Sequence, residues 1–147
     1  MKILLAVSAH EQSHDVSKVA VRLFPDAHFV ILSSASTEHL IYAEPISGAI
    51  LTAGFSLEGL LAAETQADEA VGAAHELIDN SETVVGIGDP GPIICDLASQ
   101  QRADLVVVGR GTHGWLAHLF APSVSNYVIQ NAPCPVVVIR EPTPTTQ

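Results

Sequence analysis

Residues 103–140 read ADLVVVGRGTHGWLAHLFAPSVSNYVIQNAPCPVVVIR and show the folding unit of the chain most clearly. Two short apolar runs, residues 105–108 and 135–139, are typical of strands that are buried on both faces of a parallel sheet. Residues 123–130, between them, carry Val124, Tyr127 and Val128 at helical spacing. A strand, a helix and a second strand in this order predict a βαβ unit.

The rest of the chain repeats this alternation. Asp89 is suited to an N-cap and Pro90 to the first position of a helix that starts after the third strand. We expect residues 37–56 to form a loop with a short helical turn. Similar apolar runs predict strands at residues 3–7, 29–32 and 83–87, and helical spacing predicts helices at residues 15–24 and 57–78.

Alternating strands and helices predict an α/β fold, a single doubly wound parallel five-stranded sheet flanked by helices. We expect one domain over residues 1–141 and a disordered Pro- and Thr-rich tail at residues 142–147. Ligands of such sheets bind where the strands end, at the point where the strand order reverses. The sequence therefore predicts a crevice lined by residues 7–13, 33–36 and 109–123.

The composition limits the classes of partner. The chain has 147 residues and a formal net charge of −10. Such a charge repels polyanions, which argues against nucleic-acid and acidic-membrane binding. We recognise no signal segment and no uninterrupted apolar span long enough for a membrane helix, so the expected location is the cytoplasm.

The loop before the last helix is the strongest candidate for a binding site. A strand ends at Gly109 and Ser123 opens a helix, so backbone N–H groups and the helix dipole are available to a phosphate. An ordinary connection with Ser123 as its N-cap explains the same pattern. Short glycine motifs are common, and the spacing alone does not separate the two interpretations.

Several motifs resemble the universal stress protein family. They are DLVVVG at residues 104–109, SVSNYV at residues 123–128 and APCPV at residues 132–136. Gly88-Asp89-Pro90 and the first strand are similar to the family as well. The resemblance implies the family's fold, which is also that of the adenine nucleotide α-hydrolases. It implies an ATP loop of the form G-x2-G-x9-G-[ST] after the fourth strand.

The loop departs from that form. Aligned without gaps, Gly109 and Ser123 match, but Thr112 and Pro122 stand where the second and third glycines are expected. Placing the motif on Gly111 and Gly114 instead leaves the loop two residues short. Proline has no N–H to donate, and threonine adds a branched side chain where the backbone should approach a ligand.

The first strand carries a third departure. Nucleotide-binding members of the family have an aspartate at the position of Ser8, and serine cannot supply that charge. These changes predict a regulatory or binding protein with weakened or lost ATP binding and no required cofactor. The alternative is an ATP- or AMP-binding stress protein with at most slow ATP hydrolysis. The candidate nucleotide crevice comprises Val7, Ser8, Ser34, Val108, Gly109, Thr112, Pro122, Ser123 and Val124.

Other chemistry-bearing residues give weaker patterns. His113 and His118 could form a metal site with His10 or His14, but surface histidines are far more common. Ser8, His10 and Asp15 have the residue types of a catalytic triad without a nucleophile-elbow motif. We therefore expect no catalytic group and no bound metal, and keep a histidine-dependent enzyme or metal binder as a lesser alternative. Cys95 and Cys134 lie beside predicted core positions and are expected to be structural thiols.

Two apolar segments indicate contacts. The resemblance implies a homodimer through the final strand, residues 136–139 (Val136 to Ile139), and pairing is a common way to protect a free strand edge. Trp115, Leu116, Leu119 and Phe120 form an apolar cluster in the loop. This cluster is expected either to pack locally or to contact a protein partner.

Overall fold

The computed structural model of the protein describes residues 1–7, 13–35, 49–110 and 121–140. Strands and helices alternate through these ranges, as the apolar runs predict. The strands are β1 (Lys2–Ala6), β2 (His28–Ala35), β3 (Ser81–Ile87), β4 (Leu105–Arg110) and β5 (Val136–Arg140), and the helices are α1 (Ser13–Leu23), α2 (Ala49–Leu77), α3 (Pro90–Gln100) and α4 (Ala121–Asn131).

The five strands form one parallel sheet in the order β3-β2-β1-β4-β5. Each neighbouring pair is parallel, and β1 pairs with both β2 and β4 at the centre of the sheet. Parallel neighbours need a long crossover, and each connection in the described ranges carries a helix. The predicted fold, a doubly wound parallel sheet, is confirmed.

A hydrophobic cluster fills each face of the sheet. On one face α1 and α2 pack through residues such as Val16, Ala20 and Val71. On the other face α3 and α4 pack through Ile94 and Val128, among others. We call these the α1/α2 face and the α3/α4 face. The central strands are therefore buried on both sides, which explains why their sequences are continuous apolar runs rather than alternating ones.

The turn into α3 follows the predicted chemistry. Asp89 is the N-cap, and its side chain accepts a hydrogen bond from the backbone N–H of Gly91 at 3.3 Å. Pro90 occupies the first helical position, where a missing N–H costs no helical hydrogen bond. Gly88 precedes them with a φ of 126°, a conformation that residues with a Cβ rarely adopt.

Most element bounds differ from the predictions by a few residues, and three of the differences change the interpretation. Helix α2 starts at Ala49, so residues 49–56 are helical rather than part of a loop. Strand β4 continues through Gly109 to Arg110, because both residues pair with the end of β5. Helix α4 begins at Ala121, so the prediction that Ser123 opens the helix as its N-cap is wrong.

Parts of the predicted loops and the predicted disordered tail fall on residues that the structure does not describe. Residues 37–48, the loop at residues 111–120 and the tail at residues 142–147 lie outside the described residues. Among the residues that the structure describes, none of the helices has the length and apolar character needed to span a membrane.

The N-cap of α3 gives a test of local stability. We expect Asp89→Ala to lower the free energy of unfolding by about 1 kcal/mol, because the N–H of Gly91 loses its side-chain acceptor. Urea denaturation of both proteins measures the difference. Asp96→Ala, which changes an exposed aspartate of the same helix, is the control and should leave the midpoint nearly unchanged. Equal losses in both variants would contradict the cap.

Candidate functional site

The crevice forms at the carboxyl edge of the sheet, the edge at which all five parallel strands end. Strand β1 leads towards α1 on the α1/α2 face, whereas its neighbour β4 leads towards α4 on the α3/α4 face. The helices that follow β1 and β4 therefore pack on opposite faces, and the edge between these two strands is the switch point at which ligands of such sheets bind. This is the location that the sequence predicted for a ligand.

Val7 and Val108 form the base of this crevice. Both side chains belong to the core, with exposed fractions of 3% and 4%. The backbone N–H of Val7 donates to the carbonyl oxygen of Leu32 at 2.8 Å, which extends the β1–β2 ladder by one residue. A ligand at this place would thus meet backbone and neighbouring residues rather than these two side chains.

Gly109 is required by packing. A Cβ built on Gly109 would lie 2.7 Å from Cγ2 of Val16 in α1, closer than real Cβ contacts allow. The valine side chain is stiff and buried, so it cannot easily move away. The glycine lets α1 approach β4 at the crevice, which is a structural reason for the residue that does not depend on phosphate.

Ser34 lies at the end of β2 on the α3/α4 face. Its hydroxyl donates to the carbonyl oxygen of Gly88 at 2.9 Å and ties β2 to the turn that precedes α3. In this arrangement the donor of Ser34 is already used. Its backbone is held in the ladder with β3, where Ser34 pairs with Gly86.

The amino end of α4 lies at the same carboxyl edge, because α4 leads from the end of β4 back to the start of β5. Pro122 is the second residue of this helix and Ser123 the third. The first amides of a helix have no partner within the helix and can bind an anion, but proline contributes none. Val124 is half-buried and packs on the α3/α4 face.

Several predicted site residues cannot be placed. Ser8, Thr112 and the histidines at positions 10, 113 and 118 lie outside the described residues, and so does the apolar cluster at residues 115–120. His14 and Asp15 belong to α1, but their side chains are not described. The described residues contain no group of three or more His, Cys, Asp or Glu side chains able to hold a metal ion.

Both thiols are free, and each has a raised pKa that favours its uncharged form. Burial raises the pKa of the Cys95 thiol, and the nearby Asp96 and Cys134 add to this effect. Burial also raises the pKa of Cys134, with a smaller contribution from Asp104. A thiol with a raised pKa has less thiolate at neutral pH and is a weaker nucleophile. The two residues therefore behave as the structural thiols that the sequence predicted.

Two serines, one in the predicted crevice segment 33–36 and one in the SVSNYV motif, are buried without a hydrogen-bond partner in the described structure. The hydroxyls of Ser33 and Ser125 are the atoms concerned, and their residues are 1% and 6% exposed. The apolar run before Ser33 could have indicated its burial. Ser33 alternates with Leu32 and so lies on the α1/α2 face, whereas Ser125 belongs to α4, so the two do not form one site.

A doubly wound parallel sheet defines the class of Rossmann-like α/β domains, and sequence comparison identifies the family within that class. Residues 1–140 match the universal stress protein family. The chain belongs to this family, as the motifs at residues 104–109, 123–128 and 132–136 indicated.

Individual relatives agree with this assignment. A universal stress protein of Synechocystis is 31% identical, with 95% of this chain and 97% of the relative covered. The solved structure of the universal stress protein UspA from Lactobacillus plantarum has a TM-score of 0.76 at 25% identity, covering 95% of this chain and 97% of that one. A family member from Arabidopsis thaliana, solved with AMP bound, has a TM-score of 0.65 at 18% identity and covers 100% and 95%.

The contact between Gly109 and Val16 can be tested by adding a single methyl group. We expect Gly109→Ala to lower the free energy of unfolding by about 1–3 kcal/mol, because the new Cβ overpacks the α1–β4 contact. In the double variant with Val16→Ala the two losses should not add, since the smaller side chain makes room. Thermal and urea denaturation measure both effects.

Gly72 provides the matched control. A Cβ at Gly72 in α2 would meet nothing within 4 Å, so Gly72→Ala should be neutral or stabilising. Additive losses in the double variant of Gly109→Ala and Val16→Ala would show that their contact does not limit how closely α1 approaches β4.

Proposed function

We propose that this universal stress protein is a cytoplasmic regulatory or binding protein that acts as a homodimer, with weakened or lost ATP binding. The observation that carries the proposal is the position of Pro122 in the first turn of α4, at the edge of the sheet where the crevice lies. Its activity would rest on its surfaces and on its dimeric state rather than on a dedicated catalytic group.

The phosphate end of the crevice has lost a donor. A helix presents about four unpaired N–H groups at its amino end, and Pro122 removes one of them within the first turn of α4. A hydrogen bond to a charged group contributes about 1.5–3 kcal/mol, so one missing donor corresponds to roughly a tenfold or larger loss of affinity.

The negative net charge of the chain also disfavours ATP binding. The sequence has 16 acidic residues and 6 lysines and arginines, so a polyphosphate approaches a field of its own sign. The match of Gly109 to the first glycine of the family's loop also has another explanation, because this glycine is needed for the packing of α1. Retention of Gly109 is therefore weak support for phosphate binding.

The dimer proposal rests on β5. This strand is an edge of the sheet, and Val136, Val137 and Val138 are half-buried along it. An apolar edge strand with unpaired backbone groups is prone to association, and a two-fold pair with a second copy would cover it. The opposite edge strand, β3, exposes Glu82 and Thr83 and is less apolar.

Adenine-nucleotide binding is the second candidate. Solved neighbours of the fold carry AMP, dAMP or cAMP, which favours a site for a nucleoside with a short phosphate group. In that case the backbone of Val7 and Ser34 would flank the adenine and ribose. Gly109, Ser123 and Val124 would meet the phosphate, with at most slow hydrolysis of ATP.

Replacing the proline tests the proposal directly. Calorimetric titration of the wild type with ATP and magnesium should show weak or no binding. Pro122→Gly should bind ATP roughly ten times more tightly or better, because it restores one N–H to the helix end. Pro25→Gly, in the exposed turn after α1, is the control for a general change in backbone freedom and should bind like the wild type.

The two candidates give opposite results in this titration. Micromolar ATP binding by the wild type would overturn the weakened site and support the nucleotide-binding alternative. An unchanged affinity in Pro122→Gly would remove the proline as the cause.

The dimer has its own test in sedimentation velocity. The wild type should sediment as a dimer, and Val138→Lys should sediment as a monomer, because a charge would lie at the centre of the proposed interface. Thr83→Lys places the same charge on the other edge strand and should remain dimeric. Circular dichroism checks that both variants are folded. A monomeric wild type would contradict the proposal.

A further inference from the structure

His28 connects the starts of two neighbouring strands through both nitrogens of its ring. Strand β2 begins at His28, and β3 begins directly after Asn80. The Nδ1 atom of the ring lies 2.9 Å from Oδ1 of Asn80, and the Nε2 atom lies 3.1 Å from Oε1 of Glu82. The ring therefore spans β2 and the edge strand β3 at the amino edge of the sheet, the edge opposite the candidate site.

Both atoms that face the ring are hydrogen-bond acceptors. An ionised carboxylate such as that of Glu82 only accepts. The amide of Asn80 is oriented by a second contact, because its Nδ2 atom donates to the carbonyl oxygen of Ala27 at 3.4 Å and leaves Oδ1 towards His28. Turning this amide over would place two oxygens against each other. Each ring nitrogen of His28 must therefore carry a proton for both hydrogen bonds to form.

The two bonds together require the positively charged ring. A neutral imidazole has a single N–H and can make only one of them. The charged ring also forms an ion pair with Glu82. The side chain of His28 is 31% exposed and that of Glu82 is 62% exposed, so solvent reaches the pair and the ring can take up and release its proton.

Other charges at the amino edge do not replace Glu82 as the partner of the ring. Lys2 is the register partner of His28 on β1 and has a like charge. Asp104 accepts a hydrogen bond from the backbone N–H of Lys2 at 2.7 Å. Within the described ranges, Glu82 is the one carboxylate at ion-pair distance from the ring. The remaining charged groups next to strand starts are the amino group of Met1, Asp26, Asp79 and Arg102.

We infer that His28 is a pH-sensitive clasp that holds the start of the edge strand β3 to β2. With two protons the ring bonds Asn80 and Glu82 together, and on deprotonation one of the bonds and the ion pair are lost. The stabilisation is thus present at mildly acidic pH and is lost as the pH rises through the range in which histidine releases its proton.

This inference goes beyond the proposed function and does not depend on it. The clasp lies at the amino edge of the sheet, whereas the candidate crevice lies at the carboxyl edge. It also uses no residue of β5, the strand of the proposed dimer, because β3 is the opposite edge strand.

The test compares urea denaturation of the wild type and His28→Gln at about pH 6 and about pH 8.5. Glutamine keeps a neutral donor but has no charge. The unfolding equilibrium constant of His28→Gln should exceed that of the wild type about fivefold at the lower pH and about twofold or less at the higher pH, because the ion pair exists only with the protonated ring.

His75→Gln is the matched control. The Nδ1 atom of His75 lies 2.7 Å from Oγ of Ser81, whose own proton goes to the carbonyl oxygen of Ile78 at 2.7 Å. A neutral ring supplies the single N–H that this contact needs, so the effect of His75→Gln should be the same at both pH values.

Glu82→Gln tests the partner of the clasp. It removes the carboxylate from an exposed position and should give the same pH dependence as His28→Gln. In the double variant H28Q/E82Q the losses at the lower pH should not add, since either change alone breaks the ion pair.

Nitrogen-15 NMR of the wild type detects the proton on each ring nitrogen without any variant. Both nitrogens of His28 should be protonated at about pH 6 and only one at about pH 8.5. A neutral His28 ring at the lower pH overturns the clasp, and so does an effect of His28→Gln that is equal at the two pH values. An equal pH dependence in His75→Gln, or additive losses in H28Q/E82Q, also overturns it.

Discussion

The structure depends on the burial of β1 at the centre of the sheet. Ile3, Leu4 and Leu5 are fully buried, and their side chains alternate between the two hydrophobic clusters. The strand also supplies backbone partners to β2 on one side and β4 on the other. Both helical layers therefore pack on β1. This strand also joins the β2–β3 half of the sheet to the β4–β5 half.

The position of the candidate site follows from this arrangement. The helices after β1 and β4 pack on opposite faces, so the switch point between these strands is a consequence of the topology. What the crevice can bind is a separate matter. Pro122 reduces the number of N–H donors at the amino end of α4.

Much of the fold could be predicted because the signals are local. Continuous apolar runs marked the strands, and Asp89-Pro90 marked the start of α3 through the hydrogen-bonding needs of a helix end. The start of α4 was predicted two residues late, since Ser123 is a good N-cap and proline is equally acceptable inside the first turn. Residues 49–56 were predicted as a loop because glycines interrupt them, although α2 includes them.

The sequence by itself determined the class of fold and the family. These properties depend on periodicity, on turn chemistry and on motifs of neighbouring residues. Only the tertiary structure decided that Gly109 faces Val16 and that Arg110 pairs with Arg140. Such contacts join residues far apart in the chain, and their geometry is set by strand register and helix position. A pattern along the sequence contains neither quantity, so the packing reason for Gly109 emerged only from the packed sheet.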